Sequence, residues 1–78
     1  MREKKLQWIV TFETTTQAMA FEEKAKAMQL EGRLIPLPRA IGAGCGLSWK
    51  EPLENKKELD TLILSEALEY DKIHEAMV

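Results

Sequence analysis

The sequence is poor in the residues that build disulfide-linked and metal-held folds. Its 78 residues include 1 cysteine and 1 histidine. A single cysteine cannot form an intramolecular disulfide, and one cysteine with one histidine cannot complete a closed structural zinc site. We therefore expect no metal and no cofactor, and we expect hydrophobic packing to hold the fold together.

Long apolar runs are also missing. The apolar segment at residues 6–12 is interrupted by Gln7 and is followed by no small-residue cleavage site. It is far shorter than the roughly 18 apolar residues that mark a membrane span. The expectation is a cytoplasmic protein that has no membrane partner and keeps its thiol reduced.

The excess of one charge sign is small, because 11 basic and 13 acidic residues leave a net charge of −2. A general nucleic-acid binder would carry a basic surface, so we expect no nucleic-acid partner. The hydrophobic fraction of 45% is typical of a folded globular chain, and we treat residues 1–78 as a single domain. A chain this small is marginally stable alone, which makes a homodimer a reasonable expectation.

Two segments predict the first half of the fold. Residues 6–12 alternate apolar side chains and predict a strand, and residues 17–31 have helical apolar spacing, with Gly32 as the expected helix stop. Residues 33–37 form at best an edge strand, because Pro36 removes a backbone donor and Pro38 follows.

The second half repeats the pattern. Residues 47–50 alternate and predict a third strand, which Pro52 ends. Asn55 is a candidate N-cap for a second helix, whose predicted apolar stripe is Leu59, Leu62, Ile63 and Ala67. Residues 70–77 suit either a helix or an edge strand, and we favour the strand. The order β-α-β-β-α-β predicts an α+β, ferredoxin-like fold, with two helices on one face of an antiparallel four-stranded sheet.

The densest chemical signal is the loop around Cys45. Glycines at positions 44 and 46 flank this cysteine, and successive backbone amides of glycines can form an anion-binding nest. Arg39 precedes Cys45 in the same loop, and the predicted topology brings the first helix's N-terminus to the same end of the sheet. All three features favour an exposed thiolate.

Other readings of these residues stay open. Free cysteine is among the most buried residue types, and the glycines can serve only a tight turn or bulge. Arg39 can pair with a surface carboxylate, and His74 is expected to be a surface residue. Trp8 and Trp49 can stack on a ligand but more often anchor a core. If Cys45 is incidental, Ile9 on the other sheet face suggests a non-catalytic protein-interaction or dimerisation module.

Two short motifs resemble a known family. The segment Pro36–Ile41 has the form P-x-P-R-x-I, and Cys45–Leu47 reads C-G-L. With Thr11-Phe12, the helix at 18–28 and Tyr70, these motifs resemble the selenium/sulfur carrier-like family of very small bacterial proteins. Gly42 departs from the pattern, because a serine is expected at that position.

The resemblance implies a carrier protein rather than a turnover enzyme. Cys45 would accept sulfane sulfur or selenium from a cysteine desulfurase-like donor and hold it as a persulfide or selenopersulfide. It would then pass the cargo to an unknown acceptor by thiol exchange, which needs neither a metal nor a general base. In this reading Cys45 is the carrier thiolate, Arg39 its electrostatic partner, and Gly44 and Gly46 the backbone nest.

Overall fold

The computed structural model describes residues 5–39, 41–42 and 46–78. A short 3₁₀ turn at Leu53–Asn55 leads into the second helix. The helices and strands follow in the order β1 Leu6–Thr11, α1 Thr15–Ala27, β2 Arg33–Pro36, β3 Leu47–Pro52, α2 Lys56–Ser65 and β4 Ile73–Met77.

The four strands form one antiparallel sheet in the order β2-β3-β1-β4. The predicted ferredoxin-like arrangement is confirmed, with β1 and β3 central. The strand favoured within residues 70–77 is also confirmed, and it begins at Ile73. Pro36 lies on the edge strand β2, where a missing backbone donor costs no interior hydrogen bond.

Aromatic rings form the centre of the core between the helices and the sheet. The ring of Phe21 on α1 lies 5.3 Å from that of Phe12 and 5.6 Å from that of Trp49, both at tilted angles. Such tilted pairs stabilise beyond the area they bury. Trp8 is half-buried and donates its indole N–H to the carbonyl of Leu53 at 3.2 Å. Both tryptophans therefore act as core anchors, and the rest of the fully buried core comprises Val10, Ala18, Ala25, Leu59 and Leu62.

The predicted end of the first helix was wrong. Helix α1 stops at Ala27, and Gln29 rather than Gly32 adopts the left-handed conformation, with a φ of 60°. Gln29 donates its amide to the carbonyl of Lys26, and Leu30 donates to that of Ala25, both at 3.0 Å. This is a Schellman motif, which satisfies the last carbonyls of the helix without a glycine.

Gly32 instead allows the α1–β2 connection to pass close to β3. A Cβ atom at this position would lie 2.5 Å from Oε1 of Glu51 and 2.6 Å from Nε1 of Trp49. It would also collide with the backbone carbonyl of Lys50. The glycine is therefore required by lack of space, not by backbone conformation.

Two predictions about α2 also needed correction. Asn55 occupies the N-cap position, but its side chain makes no capping bond and instead donates to Oε2 of Glu51 at 2.8 Å. Ala67 is not part of the apolar stripe, because it lies beyond the helix with a φ of 49°. Its amide and that of Leu68 close a second Schellman motif onto Leu64 and Ile63.

The sheet face turned away from the helices is more closed at its centre than expected. Ile9 is fully buried there, as are Ser48 and Thr11 on neighbouring positions. We expected Ile9 to contribute to a protein-interaction or dimerisation surface on this face. Its complete burial means that it cannot supply contact area to a partner.

Candidate functional site

The loop that carries the candidate site connects the edge strand β2 to the central strand β3. The last paired residues are Pro36 and Leu47, and the amide of Leu37 then donates to the carbonyl of Gly46 at 2.9 Å. This bond closes the base of the loop. The loop therefore begins and ends at a firmly paired hairpin end.

A tight turn at Pro38 presents Arg39. The amide of Ile41 donates to the carbonyl of Pro38 at 3.0 Å, and that of Gly42 reaches the same oxygen at 3.4 Å. Arg39 is exposed on this turn, whereas Ile41 is half-buried. These hydrogen bonds fix the backbone of the turn, and the Arg39 side chain on it is accessible to solvent.

Two described residues of the loop are glycines because of their backbone conformation. Gly42 and Gly46 have φ angles of 91° and 92°, which side-chain-bearing residues rarely adopt. A Cβ atom at either position would meet nothing within 4 Å, so space is not the constraint. Of the two glycines predicted to form the nest, Gly46 lies within the described residues. Cys45 and Gly44 lie outside the described residues.

Three connections meet at this end of the molecule. Thr11, at the end of β1, pairs with Ser48 at the start of β3, so the β1–α1 junction lies at the same end of the sheet as the loop. The α2–β4 connection arrives there too, because Asp71 donates its amide to the carbonyl of Thr11 at 2.7 Å. The expectation that the first helix begins at the loop end of the sheet is therefore confirmed.

The helix start at this end is well capped. Thr14 has an extended backbone, and its hydroxyl accepts a hydrogen bond from the amide of Gln17 at 3.1 Å. The Gln17 side chain accepts from the amide of Glu13 and donates to Oε2 of Glu69 across a shallow groove of about 200 Å³. This groove is lined by Thr16, Gln17, Ala20, Ala67, Leu68 and Glu69.

His74 lies on the other edge of the sheet, away from this loop's strands. It is half-buried on β4, with Ile9 as its cross-strand neighbour. Within residues 5–39, 41–42 and 46–78, no cluster of three or more metal-ligating side chains occurs. No described helix is long and apolar enough to span a bilayer.

One polar cluster escaped the sequence analysis. Glu51 is fully buried, and its carboxylate accepts hydrogen bonds from the indole of Trp49 at 2.8 Å, the amide of Gly32 at 3.2 Å and the side chain of Asn55 at 2.8 Å. A signal was present, because Leu47, Trp49 and Glu51 alternate onto one face. The inward position of Glu51 was not predicted, because the predicted strand ended at Lys50.

A second missed residue is Ser48. Its hydroxyl is buried on the sheet face opposite the helices and makes no hydrogen bond among the contacts described. Ser48 follows the loop closure by two residues, so an unused polar group lies at the base of the loop. Nothing in the sequence distinguishes this serine from an ordinary strand residue.

Comparison with known proteins gives one result. Residues 7–75 match the family model described as "Putative Se/S carrier protein-like". No curated protein and no solved structure matched the chain. Because the family match covers nearly the whole sequence, including the loop and both helices, the chain belongs to the Se/S carrier protein-like family.

Proposed function

We propose that this protein carries sulfane sulfur or selenium on Cys45. The observation on which the proposal depends is that a chain of the Se/S carrier protein-like family contains one cysteine and therefore one thiol that can hold such cargo. That thiol belongs to the loop whose base is closed by the bond between Leu37 and Gly46.

Thiol exchange supplies a balanced loading step. The Cys45 thiolate attacks the terminal sulfur of a persulfide on a donor protein, and a new sulfur–sulfur bond forms on Cys45. The donor's own sulfur–sulfur bond breaks, and its cysteine leaves as a thiolate, so no net oxidation occurs. Release to an acceptor thiolate repeats the same exchange in the opposite direction, and selenium transfer follows the same scheme.

The described part of the loop supports the roles proposed for its other residues. Arg39 is exposed on a hydrogen-bonded turn and offers a fixed positive charge for a thiolate or persulfide anion. Gly46 has the left-handed backbone that lets an amide turn toward an anion, and Gly44 is its proposed partner in the nest. Neither role needs a metal, a cofactor or a general base.

Intact-mass spectrometry tests the carrier function. After incubation with a cysteine desulfurase and cysteine, we expect the protein to gain the mass of one sulfur atom, and we expect dithiothreitol to remove it. The Cys45→Ala variant should gain nothing under identical conditions. If the unsubstituted protein gains no sulfur from any of several desulfurases, or if Cys45→Ala gains as much, the proposal is wrong.

A further inference from the structure

The two edges of the sheet differ in how well they are protected against a further strand. One edge is β2 and the other is β4. An edge strand carries backbone groups that can pair with another chain, and proline is one of the features that prevent such pairing. The hydrogen-bond register of each edge strand shows which of its backbone groups point outward.

The edge formed by β2 offers little to a further strand. Leu37 donates its amide to the carbonyl of Gly46, and hydrogen-bonded pairs alternate with non-bonded pairs along the register from there. The backbone groups of Leu34 and Pro36 therefore point outward. Pro36 has no N–H, so Leu34 offers the one outward donor of residues 33–36.

The edge formed by β4 has no such block. Val78 and Lys5 exchange both backbone hydrogen bonds at 3.0 Å, which marks them as a hydrogen-bonded pair of the β1–β4 ladder. Alternation along the register then points the N–H and C=O groups of Ile73, Glu75 and Met77 away from β1. Within the part of the chain that the structure describes, no hydrogen bond reaches these outward groups.

Apolar side chains lie open beside the same edge. Met77 is 57% exposed, and its cross-strand neighbour Leu6 is 43% exposed. Ile73 is half-buried on the same side of the sheet, where its cross-strand neighbour is the core residue Val10. A strand laid against β4 would therefore remove apolar surface from water while it pairs the free backbone groups.

We propose that β4 pairs in antiparallel orientation with β4 of a second copy of this chain. Only outward groups can bond to each other, so odd-numbered residues of one copy must face odd-numbered residues of the other. The register centred on Glu75 uses all the outward groups of Ile73, Glu75 and Met77. Side chains then keep their faces across the joint, and the helices of both copies lie on one face of a continuous sheet.

Two features favour a second copy over an unrelated strand as the occupant. In the register centred on Glu75, Ile73 of each copy lies opposite Met77 of the other, so the apolar ends of β4 are complementary to themselves. The centre of the sheet face opposite the helices is closed, because Ile9 is fully buried. A small chain that gains stability from association therefore has its edge available for pairing, not the centre of that face.

The joined sheet leaves both candidate loops free. Each loop starts from β2, which is the strand farthest from β4. In the joined sheet the two β2 strands are outermost and lie roughly 34 Å apart, given strand spacings of about 4.8 Å. Pairing through β4 is therefore independent of the carrier function and compatible with it.

Sedimentation velocity over a range of about 10 µM to about 500 µM tests the pairing, because a dimer of this kind depends on concentration. We expect monomers at the low end and dimers at the high end. Glu75→Pro should weaken the dimer at least about tenfold, since proline removes the central outward donor. The same substitution removes no hydrogen bond of the monomer, so the tryptophan fluorescence of the folded chain should persist.

A mixing experiment tests the position of the two-fold axis. Glu75 would face Glu75 of the second copy, and like charges directly opposite each other weaken pairing. Glu75→Lys again opposes like charges, whereas a mixture of this variant with the unsubstituted chain opposes unlike charges. We expect the mixed dimer to bind at least about threefold more tightly than either homodimer, as measured by native mass spectrometry with one isotope-labelled chain. Glu23→Lys is the matched control on the exposed side of α1 and should show no such preference.

Three results would overturn the proposal. The first is a protein that stays monomeric up to about 500 µM. The second is a dimer that Glu75→Pro leaves intact, because another surface would then hold it. The third is random pairing of Glu75→Lys with the unsubstituted chain, and this result decides the matter if Glu75→Pro fails to fold. Sulfur loading of Cys45 is measured separately, so failure of the carrier function and failure of the β4 pairing are distinguishable.

Discussion

Replacing Glu51 with alanine is expected to lower the free energy of unfolding by about 3–5 kcal/mol, since three buried or partly buried donors would lose their acceptor and each costs about 1–3 kcal/mol. The carboxylate connects Trp49 in the core, Gly32 in the α1–β2 connection and Asn55 at the start of α2. A loss of this size is comparable to the total stability of a small domain. Urea denaturation followed by tryptophan fluorescence measures it.

Two comparison variants test whether the loss of stability in Glu51→Ala comes from the buried carboxylate. Glu23→Ala removes an exposed carboxylate from α1 and should change stability by no more than about 0.5 kcal/mol. Glu51→Gln preserves size and one acceptor oxygen, so it should cost about 1–2 kcal/mol. If Glu51→Ala is as mild as Glu23→Ala, the buried carboxylate does not hold these three elements together.

Substituting Gly32 with alanine is expected to cost about 3 kcal/mol, the upper end of the usual range for overpacking. The added Cβ would lie 2.5 Å from Oε1 of Glu51 and would collide with the backbone carbonyl of Lys50. A carbonyl in the middle of β3 cannot yield without loss of strand pairing, whereas a flexible side chain could. Equilibrium unfolding in urea again provides the measurement.

Gly42→Ala is the natural control, because a Cβ there meets nothing within 4 Å and only the φ of 91° is unfavourable. We expect that variant to lose about 1 kcal/mol from backbone strain alone. In a double-mutant cycle, Gly32→Ala should cost less when Glu51→Ala is already present, since one clash and one hydrogen bond are gone. Equal costs for the two glycine substitutions would refute the steric explanation.

The sequence predicted the topology because the spacing of apolar residues and the positions of the prolines indicated the same strand order. Apolar alternation in residues 6–12 correctly predicted a strand, and helical spacing around Phe21 correctly predicted a helix packed on it. The prolines at 36 and 38 correctly indicated that β2 is an edge strand. The helix ends were not predictable in the same way. Gln29 and Ala67 adopt left-handed conformations that glycine usually fills, so no residue type marked these two helix ends.

The candidate site was predictable only in its outline. The position of the glycine-rich loop at the end of the sheet where α1 begins followed from residue types and strand order. Buried polar groups did not follow, because Glu51 and Ser48 look like ordinary surface residues in a sequence. Only the register of β3 shows that Glu51 points toward the helices and that Ser48 lies on the opposite face of the sheet, where it is fully buried.

We propose that the folded loop makes the Cys45 thiol ionise more readily than in the unfolded chain. The most direct test of this proposal is the pH dependence of iodoacetamide alkylation in the native protein and in the same protein unfolded in urea. We predict that the native rate midpoint lies at least about one pH unit below that of the unfolded chain, whose thiol should titrate near 8.5. Arg39→Gln should raise the native midpoint. A native midpoint equal to or above the unfolded one would contradict the account.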